Sequence, residues 1–295
     1  MVGSSVVRNI SKLVDSFEVI KSTRDDTDLF SKSETESLID KVKPDVIINA
    51  AAKVGGILAN DTNRTEFILD NLKINMNILE SLINKPNVKL INLGSSCIYP
   101  LGVEVPIKEE SLMTGKLEPT NSPYAMAKLT AIEIADAIKK EHGNEIINLM
   151  PTNLYGPYDN FSEKNSHVIP GLIYRMHKAK NNNEESFFVW GTGKPKREFL
   201  HVDDLSSAII FLLNNNTEEE ILNIGSGEEI SISELVEKIK KIINYTGEIK
   251  FDDKYPDGNP RKLLDSSKIN SLGWKPEIKL DKGLENVYEW YSKNK

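Results

Sequence analysis

Residues 90–93, Leu90-Ile91-Asn92-Leu93, together with the run Val46-Ile47-Ile48, decide the fold class of this chain. Both runs are short and almost entirely apolar, a pattern that fits strands covered by helices on both faces of a parallel sheet. Amphipathic segments with helical spacing alternate with such runs along the chain. This alternation is typical of linked βαβ units and predicts an α/β fold with a Rossmann-like, doubly wound parallel sheet.

The same patterns predict where the individual elements lie. Strands are expected near residues 17–21, 45–51, 88–95, 145–150 and 187–190. Helices are expected near residues 34–42, 64–83, 124–141, 167–178, 203–213, 233–243 and 281–290. A further helix at the start of the chain would present one apolar face, formed by Val2, Val6, Val7, Ile10, Leu13 and Val14.

Loops punctuated by proline and glycine become frequent after about residue 150, as in Tyr155-Gly156-Pro157, and indicate a second, smaller lobe. We expect a Rossmann-like domain at residues 1–152 plus about 186–215. The C-terminal substrate lobe is expected at about 153–185 plus 216–295.

Composition and charge argue against several classes of partner. The 295 residues include 37 Lys and Arg against 44 Asp and Glu, and the net charge of −7 disfavours binding to nucleic acid or to an acidic membrane surface. No stretch approaches the roughly 18 apolar residues of a membrane span, and the chain opens without an export signal.

The single cysteine, Cys97, precludes an internal disulfide, and the 4 histidines lack metal-ligand spacing. We therefore expect a cytoplasmic protein with no metal site.

Ligands of an open parallel sheet bind at the carboxyl ends of its strands, so the residues after the strand at 88–95 are the first candidates. Gly94 is followed there by Ser95, Ser96 and Cys97. These residues also have a plainer interpretation, in which the serines form a turn and the thiol is a small buried apolar group.

Tyr124 and Lys128 suit proton transfer to a substrate oxygen. They lie four residues apart, and therefore on one face of their predicted helix. A phenol with a pKa of about 10 exchanges protons at neutral pH only when a nearby ammonium stabilises the phenolate. Ser95 would donate a second hydrogen bond to the same oxygen. The spacing alone is weak, since Tyr174 and Lys178 repeat it.

His167 stands at a predicted helix start, where a histidine is most often structural. Arg175, Arg197 and Arg261-Lys262 are spread along the second half of an otherwise acidic chain. Each is singly an ordinary surface charge, but together they would form a diphosphate clamp through bidentate guanidinium contacts.

Five segments carry a more specific signal: GSSCIYP at 94–100, YAMAK at 124–128, MPTNLYGP at 150–157, NSHVIP at 165–170 and REFLHVDD at 197–204. In this order they resemble the GDP-L-fucose synthases, a family of extended short-chain dehydrogenases/reductases, and the resemblance covers essentially the whole chain. The serine, tyrosine and lysine alone would indicate only the short-chain dehydrogenase/reductase superfamily, and the segments around Cys97 and His167 restrict the resemblance to this family. The resemblance implies conversion of GDP-4-keto-6-deoxy-D-mannose to GDP-L-fucose, by inversion at C3 and C5 and NADPH-dependent reduction of the C4 ketone.

The resemblance also implies a role for each candidate. Cys97 and His167 would be the acid/base pair of the epimerisation, while Ser95, Tyr124 and Lys128 would hold the ketone oxygen and serve its reduction. The positions that would contact the GDP-sugar are Arg175, Trp190, Arg197 and, more weakly, Arg261. The family forms homodimers, and the helices near 64–83 and 124–141 could pair with their copies.

The cofactor implied is NADP(H). The positions that match the family's contacts to the dinucleotide are Leu93, Gly94, Ser95, Ser96, Lys128, Pro151, Thr152, Asn153, Leu154 and His167. Those at the adenosine end are Arg24, Asp25, Asp28 and Leu29. Arg24 favours a 2′-phosphate and hence NADP, whereas Asp25 could instead bind the free ribose hydroxyl of NAD.

The chain departs from the family at its start. No G-x-G-x-x-G occurs, and Gly3 matches only the last glycine of the family's phosphate-binding motif. Either the start was assigned too late or the chain is truncated. We expect the chain as written to lack the family's first strand, to bind NADP weakly and to fold poorly, because backbone partners and phosphate-binding amides would be missing.

Two alternatives remain open. One is another extended-class nucleotide-sugar epimerase, dehydratase or reductase, including one acting on a dideoxy GDP-sugar. Cys97 and His167 argue against a simple 4-epimerase, which needs no second acid/base pair. The other is a non-catalytic, NADP-binding regulatory protein, supported only by the incomplete glycine motif.

Overall fold

The computed structural model describes residues 1–13, 17–163, 166–255 and 257–294, so Val14 and Asn165 of the predicted segments lie outside it. Its helices are α1 (Val2–Ile10), α2 (Lys32–Val42), α3 (Ile57–Thr62), α4 (Arg64–Leu82), α5 (Ser122–His142), α6 (Val168–Asn181), α7 (Val202–Asn214), α8 (Ile232–Ile243), α9 (Ser267–Leu272) and α10 (Leu280–Asn294). Its strands are β1 (Val46–Asn49), β2 (Lys89–Leu93), β3 (Ile146–Pro151), β4 (Asn153–Tyr155), β5 (Ser186–Trp190), β6 (Lys196–His201), β7 (Ile221–Ile224), β8 (Glu229–Ser231), β9 (Glu248–Asp252) and β10 (Arg261–Lys262). Over these ranges, no helix combines the length and the apolar character needed to cross a membrane.

The main sheet is parallel, in the order β1-β2-β3-β7, and helices cover both of its faces. Successive side chains of a strand point to opposite faces, so Ile91 packs in the core beside α1 and α7 while Leu90 packs beside α4 and α5. The predicted doubly wound α/β fold is confirmed.

The predicted strand at 17–21 is wrong. This segment forms no strand, and its apolar side chains are exposed, with Ile20 at 55%. Among the described residues no strand lies beside it to complete a hydrogen-bonded ladder, and apolar composition alone does not hold a strand in place. The N-terminal helix also ends earlier than predicted, at Ile10, and Leu13 beyond it is 39% exposed.

The second lobe packs α6, α8 and α10 against β5, around a core that includes Leu172, Phe187, Leu235 and Val287. Its boundaries differ from the predicted ones at two strands. β5, assigned from sequence to the Rossmann-like domain, pairs with β9 in this lobe, whereas β7, assigned to the lobe, is the fourth strand of the main sheet. Both pairings join residues distant in sequence, which local patterns do not reveal.

Buried asparagines form a ladder across the main sheet. Asn49, Asn92 and Asn148 are paired in register on β1, β2 and β3. Asn49 Nδ2 donates to Asn92 Oδ1 at 3.0 Å, and Asn92 Nδ2 donates to Asn148 Oδ1 at 3.1 Å. A shift in register by one residue would break both bonds, so the ladder specifies the strand register.

We expect Asn92→Leu to lower the free energy of unfolding by about 2 kcal/mol, because it leaves buried amide groups of Asn49 and Asn148 without their partner. Urea denaturation measures this change. Asn215→Leu, at an exposed site, should change the same quantity by less than about 0.5 kcal/mol. If the two variants were equally stable, the ladder would contribute nothing.

Candidate active site

The turn after β2 presents Ser95 and Cys97 at the carboxyl end of the main sheet. Gly94 is required there by close approach, since a Cβ would collide with the sulfur of Met150. Ser95 then caps the short 3-10 turn Ser96–Ile98 by accepting a hydrogen bond from the Cys97 amide at 3.2 Å. Both side chains are half-buried, so they can face a ligand.

Tyr124 lies in the first turn of α5, which begins with Ser122-Pro123, two residues before the predicted start. Its side chain is 8% exposed, and its ring meets the ring of Phe67 edge to face at a centroid distance of 6.4 Å. Tyr124, Phe67 and Ala59 form a small buried cluster, and Cys97 packs against it. Burial, and secondarily the Cys97 sulfur, raise the pKa of the Tyr124 phenol, against an opposing hydrogen bond with Ser95. The phenol is therefore protonated at neutral pH and can donate a hydrogen bond.

Lys128, one helical turn after Tyr124, is buried with 2% exposure. Its Nζ donates to the Leu93 carbonyl at 2.6 Å, and no carboxylate of the described residues forms an ion pair with it. Burial lowers the pKa of this ammonium to about 8. A buried ammonium has three donors, so donors remain for ligand hydroxyls.

Two cations approach the Cys97 sulfur from β6 and β10. Lys262 Nζ lies 3.5 Å from Cys97 Sγ. Burial lowers the pKa of Arg197, while interactions with Cys97 and Asp257 oppose that shift. Arg261, the residue before Lys262, does not face this sulfur, and its Nε donates to both carboxylate oxygens of Glu229, at 2.9 and 2.8 Å.

His167 precedes α6, and its carbonyl accepts the first backbone hydrogen bond of that helix, from Gly171 at 3.0 Å. Its imidazole makes no capping bond to the helix. Burial raises the pKa of the nearby Asp159 carboxyl, and interaction with His167 opposes this shift. The carbonyl of Ser166, the residue before His167, lies against Gly56. Gly56 precedes α3, and α3 carries Ala59, which packs with Phe67 and Tyr124.

Three planar side chains, those of Arg175, Trp190 and Tyr255, form a stack in the second lobe. The Arg175 guanidinium lies 4.7 Å from the Trp190 ring centroid, and Trp190 stacks on Tyr255 at 5.0 Å with an interplanar angle of 20°. Trp190 and Tyr255 are 42% and 46% exposed. An exposed stack of an indole, a phenol and a guanidinium suits planar or hydroxylated ligands.

The other cofactor candidates occupy two regions. Thr152 and Asn153 follow β3, and their side chains donate to the Glu198 carbonyl at 3.2 and 2.8 Å; Pro151 and Leu154 flank them. Gly3 lies in the first turn of α1, beside the end of β1. A Cβ added at Gly3 would lie 3.7 Å from the Cβ of Ala50. At the other region, Arg24, Asp25 and Asp28 are exposed, while Leu29 packs partly into the core beside α4 and α5.

The sequence placed Lys262 in a possible diphosphate clamp but did not predict its contact with Cys97, and it gave no role to Asp159 or Tyr255. The strand alternation at Arg261-Lys262 could have shown that only one of the two faces the sulfur, but which one depends on the pairing of β10. Across the described ranges, no three potential metal-ligating side chains are grouped to hold an ion.

Comparisons with known proteins agree with this geometry. A sequence model of the "NAD dependent epimerase/dehydratase family" matches residues 1–225. The chain is 48% identical to "GDP-L-fucose synthase 1" of Arabidopsis thaliana, covering 100% of this chain and 91% of that protein. It is 42% identical to "GDP-L-fucose synthase" of Escherichia coli (strain K12), covering 100% and 94%. A structure of a GDP-L-fucose synthetase from Naegleria fowleri bound to NADP superposes with a TM-score of 0.89 at 28% identity, covering 99% and 91%.

Proposed function

Because the chain belongs to the NAD dependent epimerase/dehydratase family, we propose that it is an NADP-dependent enzyme that converts GDP-4-keto-6-deoxy-D-mannose to GDP-L-fucose. The observation that carries the proposal is the grouping of Ser95, Cys97, Tyr124 and Lys128 at the carboxyl end of the main sheet. Full-length similarity to GDP-L-fucose synthases supplies the substrate.

The epimerisation requires removal and return of protons at C3 and C5, the two carbons beside the C4 ketone. Loss of either proton leaves an electron pair that the ketone oxygen receives as an enolate. Tyr124 and Ser95 would donate hydrogen bonds to that oxygen, in a pocket where Tyr124 is already withdrawn from water. Cys97 and His167 would exchange the carbon-bound protons, since a thiol and an imidazole both do so near neutral pH.

The reduction needs a hydride, which bound NADPH supplies, and a proton, which the chain supplies. Tyr124 would donate its phenolic proton to the C4 oxygen, and the Lys128 ammonium would stabilise the resulting phenolate. The free donors of Lys128 fit ribose hydroxyls, so the same residue would also orient the cofactor.

The remaining positions would bind the ends of the two ligands. Leu93–Ser96, 151–154, Gly3 and His167 would contact the dinucleotide, with Arg24, Asp25, Asp28 and Leu29 at its adenosine end. Arg175, Trp190 and Arg197 would bind the GDP-sugar from the second lobe. Arg261 would be a weaker contact to the GDP-sugar, since its guanidinium is paired with Glu229.

Deuterium incorporation tests this function. The chain is incubated with GDP-4-keto-6-deoxy-D-mannose in deuterated water, with and without NADPH. We expect deuterium at C3 and C5 without NADPH, and labelled GDP-L-fucose with it. Consumption of NADPH without exchange would indicate a simple 4-reductase, and NADPH binding without either reaction would favour the non-catalytic alternative.

We also propose a homodimer formed through α4 and α5. Leu69 and Met76 lie two turns apart on α4, with 47% and 40% of their surfaces exposed, and Met126 on α5 is 46% exposed. Exposed apolar side chains on neighbouring helices suit a contact between two copies. The cytoplasmic location stays a prediction.

We expect Leu69→Arg to convert the dimer to a monomer, because it would place a charge in the apolar contact. Sedimentation velocity measures the mass, and Leu272→Arg, at a similarly exposed leucine of α9, should leave the dimer intact. A parent protein that sediments as a monomer would overturn the assignment.

A further inference from the structure

The contact between Lys262 and Cys97 joins two residues that lie 165 positions apart in sequence. Lys262 Nζ is 3.5 Å from Cys97 Sγ, and both side chains are partly buried. No carboxylate of the described ranges pairs with Lys262, in contrast to Arg261, whose charge is matched by Glu229. The positive charge of Lys262 is therefore directed at the sulfur.

Strand alternation explains why Lys262, and not its neighbour, reaches Cys97. Adjacent residues of a strand point to opposite faces, so Arg261 and Lys262 cannot both face the same ligand. Arg261 shares Glu229 with Lys196, at 2.8 and 3.6 Å. This pairing occupies one side of β10 and leaves Lys262 on the other.

The register of β10 adds a second cation beside the same sulfur. Lys262 and Arg197 are Cα partners across the parallel pair β10 and β6, and paired residues lie on one face of a sheet. Arg197 also interacts with the Cys97 sulfur electrostatically. Cys97 thus lies in a locally positive environment within a chain whose net charge is −7.

A buried carboxylate holds this arrangement in place. Glu198, next to Arg197, is fully buried, and its oxygens accept hydrogen bonds from the amides of Gly227 at 2.8 Å and Leu264 at 3.0 Å. Leu264 is two residues after Lys262, so the position of Lys262 relative to the sulfur is constrained by the fold rather than by a flexible surface loop.

We propose that Lys262 is a positioning residue that orients the Cys97 sulfur and favours its reactive thiolate form through an ammonium–sulfur hydrogen bond. A positive neighbour favours the thiolate over the thiol. The thiolate can accept a proton from a substrate carbon: the C–H bond breaks, an S–H bond forms, and the C–H electron pair moves toward the ketone oxygen. The identity of that carbon rests on the proposed function, but the ammonium–sulfur pair does not.

Alkylation of the only cysteine by iodoacetamide tests the pair without substrate, because the thiolate is the reacting form. We expect Lys262→Met to slow alkylation at pH 7 by about fivefold or more, and Lys262→Arg to restore most of the rate. Arg261→Met, on the opposite face, is the matched control and should stay within about twofold of the parent. Lys262→Gln replaces the methionine variant if the latter does not fold.

Substrate measurements separate this role from binding of the diphosphate. We expect Lys262→Met to slow deuterium exchange with little change in KM for the GDP-sugar. Unchanged alkylation with a raised KM would show that the ammonium serves the substrate phosphates, and would overturn the proposal. If the parent catalysed no exchange while Lys262→Met still slowed alkylation, the proposed function would fail and the ammonium–sulfur pair would stand.

Discussion

Replacing Lys128 with methionine is expected to reduce NADPH-dependent ketone reduction by about a thousandfold while making the folded protein more stable. The first effect follows from losing the ammonium that stabilises the Tyr124 phenolate. The second follows from burial, since Lys128 is 2% exposed and its pKa is lowered to about 8. A lowering from the ordinary lysine value to about 8 corresponds to about 3 kcal/mol of unfavourable burial at pH 7. Loss of the hydrogen bond to Leu93 offsets part of this, so we expect a net gain of about 2 kcal/mol.

The pH dependence gives this prediction a definite sign. Below about pH 8, Lys128 is charged in both the folded and the unfolded chain, and the destabilisation by the buried charge is fully present. Between about 8 and the ordinary lysine pKa of about 10.4, the folded protein releases its proton first and gains stability relative to the unfolded chain. The advantage of the methionine variant should therefore be largest below pH 8 and should shrink as the pH rises through this window.

Urea denaturation at pH 7 and at pH 10 measures the free energy of unfolding of the parent and of Lys128→Met. It therefore checks both the gain at pH 7 and its decrease at pH 10. Lys140→Met is the control on the same helix, since Lys140 is exposed and pairs only with Asp136 among the described residues, and its effect should stay within about 0.5 kcal/mol. A Lys128→Met protein less stable than its parent at pH 7 would show that the ammonium stabilises the fold.

Cys97→Ser and Tyr124→Phe are expected to impair different halves of the reaction. An alcohol is a much weaker acid than a thiol, so Cys97→Ser should slow deuterium exchange by about a thousandfold and leave measurable NADPH oxidation. Tyr124→Phe removes the proton donor and should slow reduction by about the same factor, while exchange falls about tenfold because Ser95 still contacts the oxygen.

Exchange without NADPH, followed by mass spectrometry, and NADPH oxidation, followed by absorbance, measure the two halves separately. Tyr174→Phe is the matched control, because Tyr174 and Lys178 repeat the tyrosine–lysine spacing on α6, where Tyr174 packs against the core of the second lobe. It should leave both rates unchanged. Unimpaired exchange in Cys97→Ser would remove the thiol from the mechanism.

Local sequence patterns predicted three of the four strands of the main sheet, β1, β2 and β3, and the residues grouped at their carboxyl ends, but not β7. Four of the five predicted strands and all of the predicted helices were found within a few residues of their expected ends. These predictions succeed because side-chain periodicity directly reflects which faces of a helix or strand are buried. The proximity of Cys97 and Tyr124 likewise follows from their positions after one parallel strand and at the start of the helix packed beside it.

Only the tertiary structure decided which segments pair and which charges meet. The pairing of β5 with β9, the unpaired state of residues 17–21 and the contact between Lys262 and Cys97 all depend on residues far apart in the chain. An apolar strand pattern is compatible with any free sheet edge, and a lysine before a loop is compatible with either face. The choice is made by packing, because only in the folded chain do distant backbone groups and charges come within hydrogen-bonding distance.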